Sequence, residues 1–384
     1  MTLCYNVIKE VREMKSLKIR LYPTKEQEIL FKKHIGAERY IYNWGLSLNN
    51  ELYKTDKKKY STIDLGKMLT QYKKEVLWLN EISNATLKES IRNLDKAYTN
   101  FYKKRAELPK FKSKKHCKLS FYSRYDKIYF KDTVVNLEKI GKVKYKSSYD
   151  IDLTRISKFS NPHVSYNGRC WILTLGIETE TEEIKLTNEV IGIDLGIKDL
   201  AICSNNMIFK NINKTKVVKN LEKRLRRLQR KVSKKYDMNK EGRSYIKTSN
   251  IIKLEERIKK LHRKLKNIRQ DYIHKSTTSI VKTKPCRVVM EDLNVKGIMK
   301  NKHLSKAIQQ QKLYEFIRQM KYKCEWLGIE FVQVDRFYPS SKTCSCCGNI
   351  KKDLKLSDRT YICQECGLVI DRDLNASINL ANYR

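Results

Sequence analysis

Cys344 and Cys347 form one Cys-x-x-Cys pair, and Cys363 and Cys366 form a second, with 15 residues between the pairs. Two short knuckles at this separation can bring four thiolates tetrahedrally around one Zn²⁺. Gly348 and Gly367 follow the pairs, where a tight knuckle favours a residue that tolerates positive φ. The alternative is two disulfides, which a cytosolic chain does not normally keep. Cys346 is a spare thiol that could compete with Cys344 or Cys347. A four-coordinate structural zinc site is closed, so this one would hold a fold, and the chemistry must come from carboxylates.

Asp194 interrupts the apolar strand end VIGIDL, and Glu291 ends the apolar run RVVME. Asp371 or Asp373 falls in the first turn of a terminal helix, DRDLNASINL. Each acid alone has an ordinary reading, as a turn residue or a helix-start residue. Together they say more, because strand-end acids on neighbouring parallel or mixed strands sit side by side on one sheet edge. Asp194, Glu291 and Asp373 so placed can hold two Mg²⁺ ions about 4 Å apart. One ion would activate water and the other would stabilise the leaving oxygen of a phosphodiester. Hard Mg²⁺ prefers carboxylate and water oxygens. Six histidines occur, none in a His-x-x-x-His pair, which argues against a zinc-hydrolase site.

The elements that must position these groups lie in a chain of 384 residues, long enough for two or three domains. Its 82 Lys and Arg face 42 Asp and Glu, a net +40. Such a surplus implies a polyanionic partner, and nucleic acid fits best. An anionic membrane is the alternative, but the basic residues are spread along the whole chain rather than gathered in one amphipathic tail. No stretch approaches the roughly 20 apolar residues of a membrane span. The N-terminus lacks an apolar signal-type run, and the six cysteines outside the ribbon are scattered. These features point to a cytosolic protein.

Residues 17–22 alternate as a strand with Leu17, Ile19 and Leu21 on one face, and Thr24 is a candidate N-cap for the helix that follows. A second helix is expected from Ser83 to Lys104, with Leu87, Ile91, Leu94, Tyr98 and Phe101 on one face. Residues 24–107 thus form a helical block in which basic and aromatic residues interleave. Tyr40 and Trp44 are either core or base-stacking residues, beside Arg39. Over 108–186 a basic turn carrying Lys110 and Lys112 leads into short β segments, as in a barrel or small sandwich. The strand at 17–22 could close that barrel, with the helical block as an insertion. Residues 219–275 read as a helical hairpin on a 4-3-4 apolar rhythm, with Arg224, Arg227 and Arg230 coating its first arm as a phosphate-tracking surface.

The runs GIDLGIKDLAICS, VVMEDLNVKG, RFYPSSKTCSCCG with CQECG, and DRDLNASINLA resemble the TnpB proteins of bacterial insertion sequences, relatives of the type V CRISPR effectors. The opening KIRLYPTKEQ and the phrase PKFKSK fit as well. The similarity runs from about residue 17 to the C-terminus, leaving residues 1–16 as an extension. It implies a multidomain α+β protein: a RuvC-like nuclease domain of RNase H fold over 187–384, interrupted by a zinc ribbon at 340–370. It also implies a wedge-type β-barrel carrying a helical recognition insertion. The catalytic, Mg²⁺-binding acids then fall on Asp194, Glu291 and Asp373, since the second acid of the D-x-D-x-N pattern is the family's catalytic one. Mn²⁺ would substitute. The zinc ligands fall on Cys344, Cys347, Cys363 and Cys366. The resemblance further implies a guide RNA from the transposon end, a double-stranded DNA target, a monomer holding one RNA, and work in the bacterial cytoplasm on the nucleoid. Competing readings are a guided DNA-binding regulator without cleavage, a transposase that joins DNA ends without RNA, and a plain zinc-ribbon structural protein.

Overall fold

The structure is a computed structural model that describes residues 12–383 except 115–116, 148–151, 157, 181–183, 243 and 356–357. The first eleven residues of the expected 1–16 extension therefore lie outside the described residues. The chain is a mixed α/β protein that divides into two compact units after Glu180.

The first unit opens with β1 (Arg12–Tyr22), followed by α1 (Lys25–Asp56), α2 (Thr62–Glu75) and α3 (Asn84–Tyr102). Thr24 caps α1 in a full capping box with Gln27, which satisfies two of the helix's orphan amides. Six short strands come next: β2 (Ser120–Tyr122), β3 (Tyr129–Lys131), β4 (Val134–Leu137), β5 (Gly141–Lys146), β6 (Phe159–Tyr166) and β7 (Trp171–Glu180). All seven form one antiparallel sheet in the order β2-β6-β7-β1-β5-β4-β3. β1 joins the two halves of this sheet, because it pairs along most of its length with β7 and through Arg20–Tyr22 with β5. The three helices intervene between β1 and β2.

Leu17, Ile19 and Leu21 are buried in the sheet's core with Phe31 of α1 and Trp171 of β7, as the alternation predicts. On α3, Leu87, Ile91, Leu94 and Tyr98 are buried, whereas Phe101 emerges at the surface. Tyr102, the last residue of α3, is exposed as well. Trp44 lies half-buried in a stack on Tyr72, with ring centroids 5.1 Å apart, and Tyr40 is exposed with its hydroxyl 2.5 Å from that of Tyr72.

The second unit is built on a five-stranded sheet. Its elements are β8 (Val190–Leu195), β9 (Asp199–Cys203), β10 (Ile208–Lys210), α4 (Lys216–Met238), the two-residue strands β11 (Lys240–Glu241) and β12 (Ser244–Tyr245), and α5 (Ser249–Lys282). There follow β13 (Arg287–Glu291), α6 (Val295–Ile298), α7 (Ser305–Gln311), α8 (Leu313–Trp326), β14 (Glu330–Val334), β15 (Thr360–Ile362), β16 (Val369–Asp371) and α9 (Arg372–Ala381). The main sheet runs β10-β9-β8-β13-β14. β8 is antiparallel to β9 and parallel to β13, which is parallel to β14. The apolar rhythm of α4 and α5 seals the hairpin: Val218, Leu225, Leu261 and Leu265 form its buried seam, with Leu221, Leu228, Ile258 and Ile268 against it.

Candidate active site

β8 and β13 run side by side in parallel with Ile193 opposite Met290. The next residue on each strand is an acid, Asp194 and Glu291, at the C-terminal ends of adjacent strands. The third acid arrives from far along the chain. Helix α9 packs on β8, β9 and β13, and Asp373 lies in its first turn. The two acids of DRD have different duties. The Asp371 side chain caps α9, accepting from the amides of Asp373 and Leu374 at 2.9 and 3.2 Å. Asp373 is thereby free of capping work.

Gly192, two residues before Asp194, lets α9 come this close. A Cβ there would lie 1.9 Å from the Ser377 carbonyl oxygen and 2.4 Å from the Ala381 amide nitrogen. Both are backbone atoms of the helix region, so the helix itself would have to move. Gly192→Ala should therefore destabilise the second unit by about 1–3 kcal/mol, as overpacking does, and draw Asp373 away from Asp194. Thermal unfolding checks this; a variant with unchanged stability would refute the close approach.

The three acids feel one another. Burial pushes the Asp194 carboxyl up to about 8, and the negative charges of Glu291 and Asp373 add to that, while the Arg372 guanidinium opposes it. Glu291 accepts a hydrogen bond from the buried Ser340 hydroxyl. Asp373 is paired with Arg372 at 3.2 Å and lies 3.9 Å from Arg359. Among the described residues, only the four ribbon cysteines gather ligand atoms within 4.8 Å of one another. The donor set of the acids nevertheless suits a hard divalent cation: three carboxylates come from two adjacent strand ends and one helix start, and all offer hard oxygen donors.

The ribbon is hydrogen-bonded to the same helix. Asn379 donates to the Ser340 and Thr343 carbonyls at 2.7 and 2.6 Å. Asn375 donates to the Thr343 carbonyl at 2.7 Å and accepts from the Ser345 amide at 2.9 Å. These two amides, one helical turn apart on α9, clamp the segment that enters the first cysteine knuckle. Ser340, Asn375, Asn379 and Gly192 were not singled out by sequence reasoning. The usable signal was the pair Asn375 and Asn379 at i, i+4 on the side of α9 that also carries Leu380, since a buried amide must find partners.

Cys344, Cys347, Cys363 and Cys366 form the metal-sized cluster. Sγ of Cys344 is 3.6 Å from that of Cys366, and Sγ of Cys347 is 3.6 Å from that of Cys363. A tetrahedron with Zn–S of about 2.3 Å has an edge of about 3.8 Å, so the cluster could hold zinc. All four thiols are free, which removes the disulfide alternative. Cys346 is exposed and outside the group. Gly348 and Gly367 have φ of 77° and 71°, the left-handed knuckle geometry expected of them. Amide N–H groups of the second knuckle, Cys366 foremost, hold the Cys363 thiol down at about 6.

The expected nucleic-acid residues divide into two kinds. Arg224, Arg227 and Arg230 are exposed along α4, and among the described residues no carboxylate pairs with them. Arg39 is half-buried on α1, and Lys110 is exposed but paired with Glu107 at 2.6 Å. Lys112 departs from the expectation of a free cation. Its ammonium lies 3.6 Å from the Tyr42 ring centroid, and its backbone is clasped at both N–H and C=O by Asn43. Burial lowers its pKa, so it anchors the basic turn to α1. No helix of the described chain is long and apolar enough to cross a membrane.

Comparison with known proteins places this arrangement in context. The profile of a family described as "Probable transposase" matches residues 174–302. One described as "Cas12f1-like, TNB domain" matches 314–380, and one described as "Helix-turn-helix domain" matches 14–58, which fold here as most of β1, all of α1 and the residues after it. "Putative RNA-guided DNA endonuclease" of Streptomyces pristinaespiralis is 30% identical over 95% of this chain and 88% of its own. "Putative RNA-guided DNA endonuclease InsQ" of Escherichia coli (strain K12) is 29% identical over 96% of this chain and 92% of its own. The solved "Cryo-EM structure of the Cas12f1-sgRNA-target DNA complex" covers 97% of this chain and 99% of its own with a TM-score of 0.58. At 15% identity this likeness speaks to the fold.

Proposed function

Since the chain belongs to the TnpB family of RNA-guided DNA endonucleases, we propose that Asp194, Glu291 and Asp373 are its catalytic acids and hold Mg²⁺, with Mn²⁺ as a substitute. The observation that carries this reading is the placement of Asp194 and Glu291 at the C-terminal ends of adjacent parallel strands, with α9, which has Asp373 in its first turn, packed across those strands. When bound, the divalent ion supplies Lewis acidity to the scissile phosphate and to the attacking water. The chain's own groups orient the acids: Ser340 fixes one oxygen of Glu291, Arg372 steadies Asp373, and Asp371 frees Asp373 from capping. The sheet of the second unit, ordered β10-β9-β8-β13-β14 with β9 antiparallel to both of its neighbours and β8, β13 and β14 parallel, supports a RuvC-like sheet of RNase H type. The cysteine cluster is assigned to structural Zn²⁺.

The partners are a guide RNA and a double-stranded DNA target. In such enzymes base pairing reads the sequence, and the protein follows the backbone. The net +40 charge and the exposed arginines of α4 suit that task. We assign the first unit, with α1–α3 and the seven-stranded sheet, to recognition and wedge roles. Incubating the protein–RNA complex with a matched plasmid and Mg²⁺ should linearise it, and Glu291→Gln should bind the target without cutting. Binding without any cutting by the wild-type complex would instead favour a guided regulator.

A further inference from the structure

Between β14 and the first knuckle, the segment Asp335–Ser340 skirts the acid site, and nearly all of it is tied down. Arg336 pairs with Asp292, the neighbour of Glu291, at 2.9 Å. The Asp335 carboxylate accepts from the Phe337 amide at 2.8 Å. Tyr338 packs edge-on against Tyr383, and its hydroxyl meets the Asn379 carbonyl. Ser340 donates to Glu291. Within this fixed loop the Phe337 side chain is 87% exposed. A lone exposed apolar residue ordinarily needs no explanation. This one is held out by a loop whose flanking residues touch Glu291 and Asp292.

We propose that Phe337 stacks on an unpaired base of the DNA strand being cut and so seats the scissile phosphate at the acids. The proposal rests on the nuclease reading of Asp194, Glu291 and Asp373. The loop touches Glu291 through Ser340 and Asp292 through Arg336, so a strand whose phosphate reached those acids would pass close to it. Phenylalanine offers a π-face with no hydrogen-bonding edge, so it grips any base. A nuclease that takes its sequence from a guide needs that tolerance. Phe337 is thus a positioning residue, acting on the strand rather than on the metal.

Single-turnover cleavage by the full-length protein–RNA complex tests this. Phe337→Ala and Phe337→Leu should each cut about tenfold more slowly, the usual loss of one base–aromatic stack, while Phe337→Trp retains the rate. Target binding should be the same for all. An abasic residue beside the scissile phosphate should remove the difference between wild type and Phe337→Ala. Leucine cutting as fast as tryptophan, or a difference that survives the abasic residue, would overturn the proposal. A second readout separates its failure from failure of the nuclease reading. With Ca²⁺ in place of Mg²⁺, 2-aminopurine in the displaced strand should be quenched by wild type and not by Phe337→Ala. Quenching without cutting in Mg²⁺ would indict the acids and leave Phe337 standing; equal fluorescence would remove Phe337.

Discussion

Asparagine in place of Asp194 should slow guided DNA cleavage by on the order of 10³-fold, equivalent to about 4 kcal/mol of lost transition-state stabilisation, with target binding retained. Burial and the field of Glu291 and Asp373 both bear on Asp194. The amide keeps the shape and removes the charge that would hold a cation. The same substitution should stabilise the metal-free protein near neutral pH, by about 2–4 °C in Tm for each kcal/mol no longer lost to burying a carboxyl beside two others. The folded carboxyl titrates near 8 against an ordinary value of 3.8, so across that window the folded chain binds a proton that the unfolded chain has lost. Stability without metal is therefore highest below the lower value, falls as pH rises through the window and levels off above the upper one. Melting curves in chelator across that range should slope downward for wild type and flatten in Asp194→Asn. Mg²⁺ should raise Tm for wild type far more than for the variant. A variant that cuts at the wild-type rate would end the acid assignment.

Local patterns carried much of the architecture. Thr24 and Gln27 announce the start of α1, the alternation of Leu17, Ile19 and Leu21 fixes which face of β1 is buried, and the cysteine spacing gives the knuckles without tertiary knowledge. Helix α2 was not singled out, although Leu65, Met68, Leu69 and Tyr72 recur at helical spacing and pack on the core of the helical block; only Leu65 and Leu69 of these are fully buried. The site was legible as residue types and only partly as geometry. Two acids at apolar strand ends signal a shared edge, but no local rule says that β8 and β13 are neighbours. Gly192 looks like any glycine in a strand; its meaning is the backbone of α9 lying against it. The bond from Ser340 to Glu291 joins residues 49 apart, a separation that no periodicity reports. Asp371 and Asp373 are indistinguishable by composition and are told apart by which side chain meets the helix amides.

Cys363→Ser should disable cleavage although Cys363 touches no acid. The ribbon has a small core of its own, with Cys344, Tyr361 and Cys363 buried beside Leu354, Leu368 and Ile370. Such a core cannot offset chain entropy unaided; zinc contributes about 10–16 kcal/mol in isolated finger peptides. Loss of one thiolate should therefore release the metal and unfold the segment around both knuckles. The effect then reaches the acids by two routes. Along one, the knuckle entry clamped by Asn375 and Asn379 carries Ser340, and Ser340 holds Glu291. Along the other, Arg359 and Arg372 stand beside Asp373, and the Arg372 amide is bonded to the Arg359 carbonyl at 2.9 Å. Displacement of either acid by about 1 Å is enough for a loss on the order of 10²-fold. Metal analysis should find zinc in wild type and in Cys346→Ser, whose thiol lies outside the cluster, and little in Cys363→Ser. Limited proteolysis should open the Cys363→Ser protein near residues 340–370 while the first unit stays resistant. If Cys363→Ser kept its zinc, the cluster would be misassigned; if it lost zinc and still cut at full rate, the clamp through Asn375, Asn379 and Ser340 would carry no force to Glu291.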